Sequence, residues 1–285
     1  MDILWKRRGK TRDGLVCREK NGVPFLSFGL LEACDFVKQG FSTRMGGVSE
    51  GDCASMNLGF SRGDERERVM ENYRRMAAAL DMPMERMVLS KQTHTTNVRV
   101  VTEADAGNGI VRPLPYTDVD GLVTNVENLP LVTFYADCVP LYFVDPVNRA
   151  IGLSHSGWRG TVNRMGLHTL NRMAEEYGTK PDQVLACVGP SICRDCYEVS
   201  LDVALEFRQA FGEKAELLLD EKPNGKFQLD LWQANRQILL EAGVREEHLA
   251  VTDLCTCCNP TLLFSHRASG GKRGNLAAFL CLCSG

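Results

Sequence analysis

The apolar stretch from Leu129 to Val144 does most to narrow the folds open to this chain. It is interrupted by Asp137 and Pro140 and is too short to span a bilayer. It reads instead as two strands, Leu131 to Tyr135 and Leu141 to Val144, with a third run, Ala150 to Ser154, close behind. Strands this tightly spaced belong to a sheet with a buried core.

The rest of the chain mixes strands and helices without strict alternation. Leu15 to Arg18 and Pro24 to Phe28 suggest an opening hairpin with Asn21-Gly22 near its turn. Gly40 to Gly47 passes from strand to Gly-rich loop. Further strands are expected at Met87 to Ser90, Val98 to Val101, Gly121 to Thr124, Val184 to Val188, Leu249 to Asp253, Leu262 to Ser265 and Leu276 to Leu282. A helix from about Glu65 to Leu80 carries Val69, Tyr73, Met76 and Leu80 as one stripe, with Asp64 as cap and Glu67 three residues on. A second helix should follow Gly157-Trp158-Arg159-Gly160, with Val162, Met165, Leu170, Met173 and Tyr177 inward. Helices near Leu201 to Phe211 and Leu231 to Ala242 would be capped by Ser200 and Asp230. This order favours a mixed-sheet α/β (α+β) sandwich over a barrel or a doubly wound sheet. No repeat or linker divides the sequence, so residues 1–285 read as one domain. Neither a G-x-G-x-x-G after a strand nor a P-loop is present, which sets aside dinucleotide and P-loop chemistry.

The net charge of −3 gives no basic field for nucleic acid. The basic run Lys6-Arg7-Arg8 with Lys10 is expected to be a solvated end. Charges near the start have no apolar segment behind them, so a cytoplasmic protein without membrane attachment or an obligate protein partner is expected. In that setting the 12 cysteines should be reduced thiols, several of them (Cys187, Cys281, Cys283) small core residues.

Chemistry gathers at three places. Lys91-Gln92-Thr93-His94, Ala136-Asp137-Cys138-Val139-Pro140 and His155-Ser156-Gly157-Trp158-Arg159-Gly160 each break an apolar run, and they hold two of only 5 histidines. If His94, Cys138 and His155 converge, they form a three-ligand zinc site with its fourth position open. Spacing alone equally allows a strand-end His, a turn His and a buried Cys. Asp137 is a candidate to orient a ligand His. Arg159, at a turn that opens a helix, and Arg44, in Phe41-Ser42-Thr43-Arg44-Met45-Gly46-Gly47, are candidate phosphate or carboxylate contacts, each with a solvated-loop alternative. Cys193-Arg194-Asp195-Cys196 and Cys255-Thr256-Cys257-Cys258 form an imperfect C-x-x-C…C-x-C pattern. That pattern is weak support for a structural Cys₄ zinc site and weaker support for thioredoxin-like chemistry.

Taken together, the motifs resemble one family, the YfiH/YlmD/FAMIN proteins, long labelled multicopper polyphenol oxidoreductase or laccase-like. The resemblance runs from about Gly40 onward. It rests on FSTRMGGVSEG (41–51), MNLG (56–59) with Gly63-Asp64 and Asn72, KQTH (91–94) and Asp120-Gly121. It continues through ADCVP (136–140), HSGWRGTV (155–162), VGPSI (188–192) with CYEV (196–199), DLCT (253–256) and FSHR (264–267). It implies a fold similar to the catalytic domain of the CNF toxins. It also implies a catalytic metal site at His94, Cys138 and His155 with Arg44 and Arg159 in Gly-rich motifs around it, and from their chemistry Gln92, Arg44 and Arg159 are expected to contact substrate or phosphate. Zinc is the expected metal, copper the less expected one. The implied substrates are purine nucleosides (adenosine, inosine, guanosine, methylthioadenosine) and phosphate, with both phosphorolysis and adenosine deamination. Thr93 and Thr95-Thr96 depart from the family pattern, as do Cys193 and Cys257-Cys258, which bears on substrate preference. Other readings are a metal-free cysteine hydrolase or deamidase using Cys138 and His155, a copper-dependent polyphenol oxidoreductase, and a non-enzymatic binding module. The oxidase lacks the histidines for a trinuclear cluster.

Overall fold

A computed structural model describes residues 5–8 and 14–283. Two six-stranded sheets lie face to face. The first runs Leu15–Lys20, Val23–Phe28, Val37–Ser42, Leu276–Leu282, Leu131–Tyr135, Val88–Leu89, antiparallel except for its last pair. The second runs Leu249–Val251, Leu185–Val188, Val139–Asp145, Ala150–Ser156, Gly121–Thr124, Val98–Val100, antiparallel in the middle and parallel at both edges. A small antiparallel sheet joins Glu198–Val199, Phe227–Leu229 and Leu219–Glu221. The expected mixed-sheet α/β sandwich is the fold observed.

Side chains alternate across a strand, so a strand buried on both faces must be apolar at every position. Leu276–Leu282 shows this: Leu276, Ala278, Leu280 and Leu282 join the core between the sheets, while Ala277, Phe279 and Cys281 face the helix Arg66–Leu80. Val139–Asp145 does the same in the second sheet. Tyr142 and Val144 point between the sheets, and Val139, Leu141 and Phe143 face the helix Met165–Tyr177. Two fully buried tyrosines tie the sheets together, Tyr142 donating to the Gly40 carbonyl and Tyr135 to the Ser154 carbonyl, each at 3.0 Å.

Local chemistry explains most element ends. Asn21 and Gly22 both take positive φ, as a two-residue hairpin turn requires. The stripe Val69, Tyr73, Met76, Leu80 is buried as expected. Asp64 does not cap that helix: its carboxylate accepts from the backbone N–H of Glu65 and from the buried Asn57 side chain, and Glu65 holds the cap position without a side-chain bond. Asp230 caps Leu231–Glu241 through the Gln233 N–H, but Ser200 makes no such bond for Leu201–Phe211. The helix after Gly157 is two pieces, Trp158–Val162 and Met165–Tyr177, separated where Arg164 adopts a left-handed conformation. The basic run near the start is exposed at Lys6 and Arg7, as expected, but it is also tied to the body of the protein. Arg7 pairs with the buried Asp253 at 2.6 Å, and Arg8 donates to Asp195 and to the Cys258 sulfur. Lys10 lies outside the described residues. Among those residues no helix is long and apolar enough to cross a membrane.

Candidate active site

Residues 136–138 carry the chain from the strand Leu131–Tyr135 in the first sheet to Val139–Asp145 in the second. Asp137 takes φ of 90° to make this crossing so short. Cys138 is left at the mouth of the second sheet, and its neighbouring strand brings His155 level with Pro140. His94 comes from the loop after Val88–Leu89, at φ of 68°. The three ligand atoms lie within 4.8 Å of one another.

One buried carboxylate organises them. Asp120, just before Gly121–Thr124, has no solvent exposure. It accepts from His155 Nδ1 at 2.8 Å and from the backbone N–H groups of Thr93, His94 and Thr95 at 2.8, 3.1 and 3.2 Å. A single side chain therefore fixes the ring of one histidine and the backbone of the other. Because Nδ1–H is donated to Asp120, Nε2 is the nitrogen left to act, the arrangement by which carboxylates orient metal-binding histidines. This overturns the role expected of Asp137. Its carboxylate is taken by the Thr256 hydroxyl at 2.6 Å and the Arg267 N–H at 2.7 Å, so it shapes the crossing and orients no histidine.

Charge is strongly coupled here. Burial pushes the Cys138 thiol up, but the adjacent His155 and His94 rings outweigh it and bring it down to about 6. Burial likewise disfavours imidazolium at His155, and the Cys138 sulfur and Asp120 override it, raising the ring to about 9. Asp120 stays below the usual carboxylate range despite burial, chiefly through its bond to His155.

The donor set fits zinc. A tetrahedral ion with Zn–S and Zn–N bonds of about 2.3 and 2.0 Å separates S from N by about 3.5 Å. Cys138 Sγ and His94 Nε2 stand 4.0 Å apart, so a slight contraction closes the site. Gly157 makes the room: a Cβ there would lie 3.0 Å from Cys138 Sγ and 3.1 Å from His94 Cδ2.

The three residues open onto a cavity of about 600 Å³. Phe60, Phe134, Tyr135 and Tyr197 give it aromatic walls, and Arg62, Arg267 and Arg273 line it with positive charge. Arg273 Nε is buried without a partner among the described residues, and burial, then Arg62, depress this guanidinium to about 10. Its Nη1 is spent on the Gly274 carbonyl and the Asn275 side-chain oxygen, neither of them charged, so a half-buried cation without a carboxylate partner beside an open cavity favours an anion. These arginines and Asp120 were not singled out for roles from sequence, although Gly270-Gly271-Lys272-Arg273-Gly274 is the same kind of Gly-rich basic loop as the two that were.

The sequence-derived substrate contacts fare unevenly. Gln92 lines the cavity, but its amide clamps the Phe134 backbone through both ends, at 2.7 and 2.6 Å, and accepts from Ser90. Arg159 is exposed, with its guanidinium 4.3 Å over the Trp158 ring. Arg44 is not on the cavity wall. It donates to the Ala54 and Pro260 carbonyls and stacks 4.5 Å over Phe264, so the structure assigns it to bracing its own loop rather than to phosphate.

Comparison with known proteins shows the family of the chain. Residues 38–283 match the family described as multi-copper polyphenol oxidoreductase laccase. The purine nucleoside phosphorylase YlmD of Bacillus subtilis is 36% identical over 245 residues, 86% of this chain and 88% of that protein. Adenosine deaminase RL5, from an unknown prokaryotic organism, is 33% identical and covers 86% of this chain and 95% of its own length. The crystal structure of the Bacillus licheniformis hypothetical protein YfiH superposes with a TM-score of 0.87 at 32% identity, covering 93% of this chain and 98% of the other. The chain belongs to the YfiH family of multi-copper polyphenol oxidoreductase-like proteins.

Proposed function

We propose that this chain, as one catalytic domain, is a zinc-dependent purine nucleoside phosphorylase with adenosine deaminase activity. Adenosine, inosine, guanosine and methylthioadenosine are its substrates, and the cytoplasm is its location. The observation that carries this reading is the open His94/Cys138/His155 triad at the floor of a cavity with aromatic and cationic walls. Its volume suits a nucleoside with an anion beside it. The relatives named above, a phosphorylase and a deaminase, support the two activities.

The chain's own residues divide the work. Arg273 holds phosphate against the ribose, Arg62 braces the Arg273 loop through the Gly271 and Arg273 carbonyls while adding positive charge, and the exposed Arg159 adds its charge near Tyr197. In phosphorolysis a phosphate oxygen bonds to C1′ as the bond to N9 breaks, and the purine leaves with the electron pair and takes up a proton. Tyr197 and Phe134 face the base. Gln92, with one N–H spent on Phe134, has a second to offer substrate. Asp120 keeps His155 in the tautomer that presents Nε2. Zinc, when bound by His94, Cys138 and His155, supplies an electrophile able to lower the pKa of water to about 7, the chemistry deamination at C6 needs.

Purified protein incubated with adenosine and phosphate tests this reading. Adenine with ribose 1-phosphate, and inosine, should form; no product above a Cys138→Ala control would overturn it. One observation favours a second reading. Cys138 and His155, with Asp120 behind them, have the pairing of a cysteine hydrolase. Zinc retained through purification in proportion to the His94–Cys138–His155 site excludes that alternative. Selective alkylation of Cys138 in protein isolated without metal there supports it.

A further inference from the structure

A second group of metal-binding side chains lies apart from the triad. Cys193, Cys196, Cys255 and Cys258 bring four sulfurs within 4.8 Å of one another. The sequence pattern looks irregular because Cys257 intrudes. With Cys257 set aside, both segments are C-x-x-C, Cys193/Cys196 and Cys255/Cys258. We propose that these four cysteines hold a structural zinc ion, distinct from the catalytic centre.

The distances separate this from the alternatives. A disulfide needs sulfurs at about 2.05 Å. A tetrahedral Zn–S₄ unit with bonds of about 2.3 Å places them about 3.8 Å apart. Cys196 and Cys258 stand at 3.4 Å, and Cys193 and Cys258 at 4.0 Å, bracketing the zinc geometry. Surrounding donors are those thiolates require. Cys255 Sγ accepts the N–H groups of Cys193 and Cys258 at 3.2 and 3.4 Å, and Cys258 Sγ accepts from Arg8 Nε and Nη2 at 3.3 and 3.2 Å. Four thiolates and one zinc ion carry a net charge of about −2, so the permanent charge of Arg8 offsets part of it. Four thiolates around a tetrahedral ion select zinc or iron, and zinc, which has no redox chemistry, suits a purely structural bridge between two turns.

The position gives the ion a task. It joins the turn at 193–196 to the turn at 255–258. Thr256, between two of the ligands, donates to the Asp137 carboxylate at 2.6 Å, and Ile192, beside another, donates its N–H to the Asp137 carbonyl at 3.0 Å. The zinc thus braces, through both turns, the crossing that presents Cys138.

Elemental analysis of the purified chain should find two zinc ions per chain. The His94→Ala/Cys138→Ala variant should keep one, and X-ray absorption at the zinc edge should show only sulfur around it, at about 2.3 Å. That variant leaves the four cysteines untouched, so its answer does not depend on their mutants folding. Cys196→Ser should lose one zinc, whereas Cys257→Ser should lose none. Absence of metal from the His94→Ala/Cys138→Ala variant, disulfide-linked cysteines in its intact mass, or iron in place of zinc would each overturn the proposal. Failure of the nucleoside assay leaves these readouts unaffected, so the two readings are judged separately.

Discussion

Asp120→Asn is the most incisive perturbation, because one carboxylate holds both histidines. Its Oδ1 accepts from His155 Nδ1 and the His94 N–H, and its Oδ2 from the N–H groups of Thr93 and Thr95. An asparagine that keeps its oxygen toward Thr93 and Thr95 must turn its NH₂ toward His155 and His94. Two hydrogen bonds to a buried charge are then lost, at about 1.5–3 kcal/mol each, and one neutral bond worth about 1 kcal/mol is regained. The net loss of stability is about 2–5 kcal/mol. The new amide also donates to His155 Nδ1, which forces the ring proton onto Nε2 and opposes metal binding, so zinc affinity should fall by about 10–100-fold. Urea unfolding of metal-free protein measures the first effect and competition with a chelator the second. Asp118→Asn is the control, since Asp118 bonds Thr93, Thr95 and Asn97 but neither imidazole. An Asp120→Asn protein with wild-type zinc affinity and an unchanged unfolding midpoint would refute the reasoning.

Other consequences can be measured as directly. Gly157→Ala keeps an allowed backbone, with φ of −73°, but crowds Cys138 and His94. It should weaken zinc binding and activity while costing about 1–3 kcal/mol of stability, read from chelator competition and urea unfolding. In metal-free protein, alkylation of Cys138 by iodoacetamide should rise with a midpoint near pH 6, because the folded thiol is depressed to about 6. The sign follows from linkage: a thiol lowered from 9.0 to about 6 contributes stability that is full above the unfolded value and is lost as pH falls toward about 6. A midpoint at an ordinary thiol value removes the coupling to the histidines. Arg273→Gln should raise the KM for phosphate more than it lowers kcat, and equal effects on both would place Arg273 outside the anion site. Tyr142→Phe, at a residue that does not line the cavity, should cost about 1–3 kcal/mol by leaving the Gly40 carbonyl with a lost donor, with kcat unaltered.

Much of this was legible in the residues. Period-two and helical spacing located most of the strands and the buried helix stripe, and polar breaks beside apolar runs marked His94, Cys138 and His155. What escaped was set by tertiary partners. Asp64 and Ser200 have good capping chemistry, yet the buried Asn57 claims Asp64, and Ser200 forms no cap bond. Asp137 was the nearer carboxylate in sequence to Cys138, but Asp120 reaches His155 because its strand pairs beside that of His155. Arg44 carried the right charge in the right kind of loop and still spends it on two carbonyls. The four-sulfur cluster was obscured by one extra cysteine. Such choices depend on register and packing between distant segments, which local pattern does not encode.

The strand Leu276–Leu282 sits in the middle of the first sheet, between Val37–Ser42 and Leu131–Tyr135. During synthesis it is the last strand among the described residues to leave the ribosome. Until it emerges, Leu131–Tyr135 lacks its central partner and the crossing that presents Cys138 has no fixed origin. From His155 to the arrival of this strand, the chain therefore carries His94, Cys138 and His155 without the finished sheet that positions them. Loss of this strand would leave His94, Cys138 and His155 in the chain but take away the sheet partner that fixes the start of the crossing to Cys138.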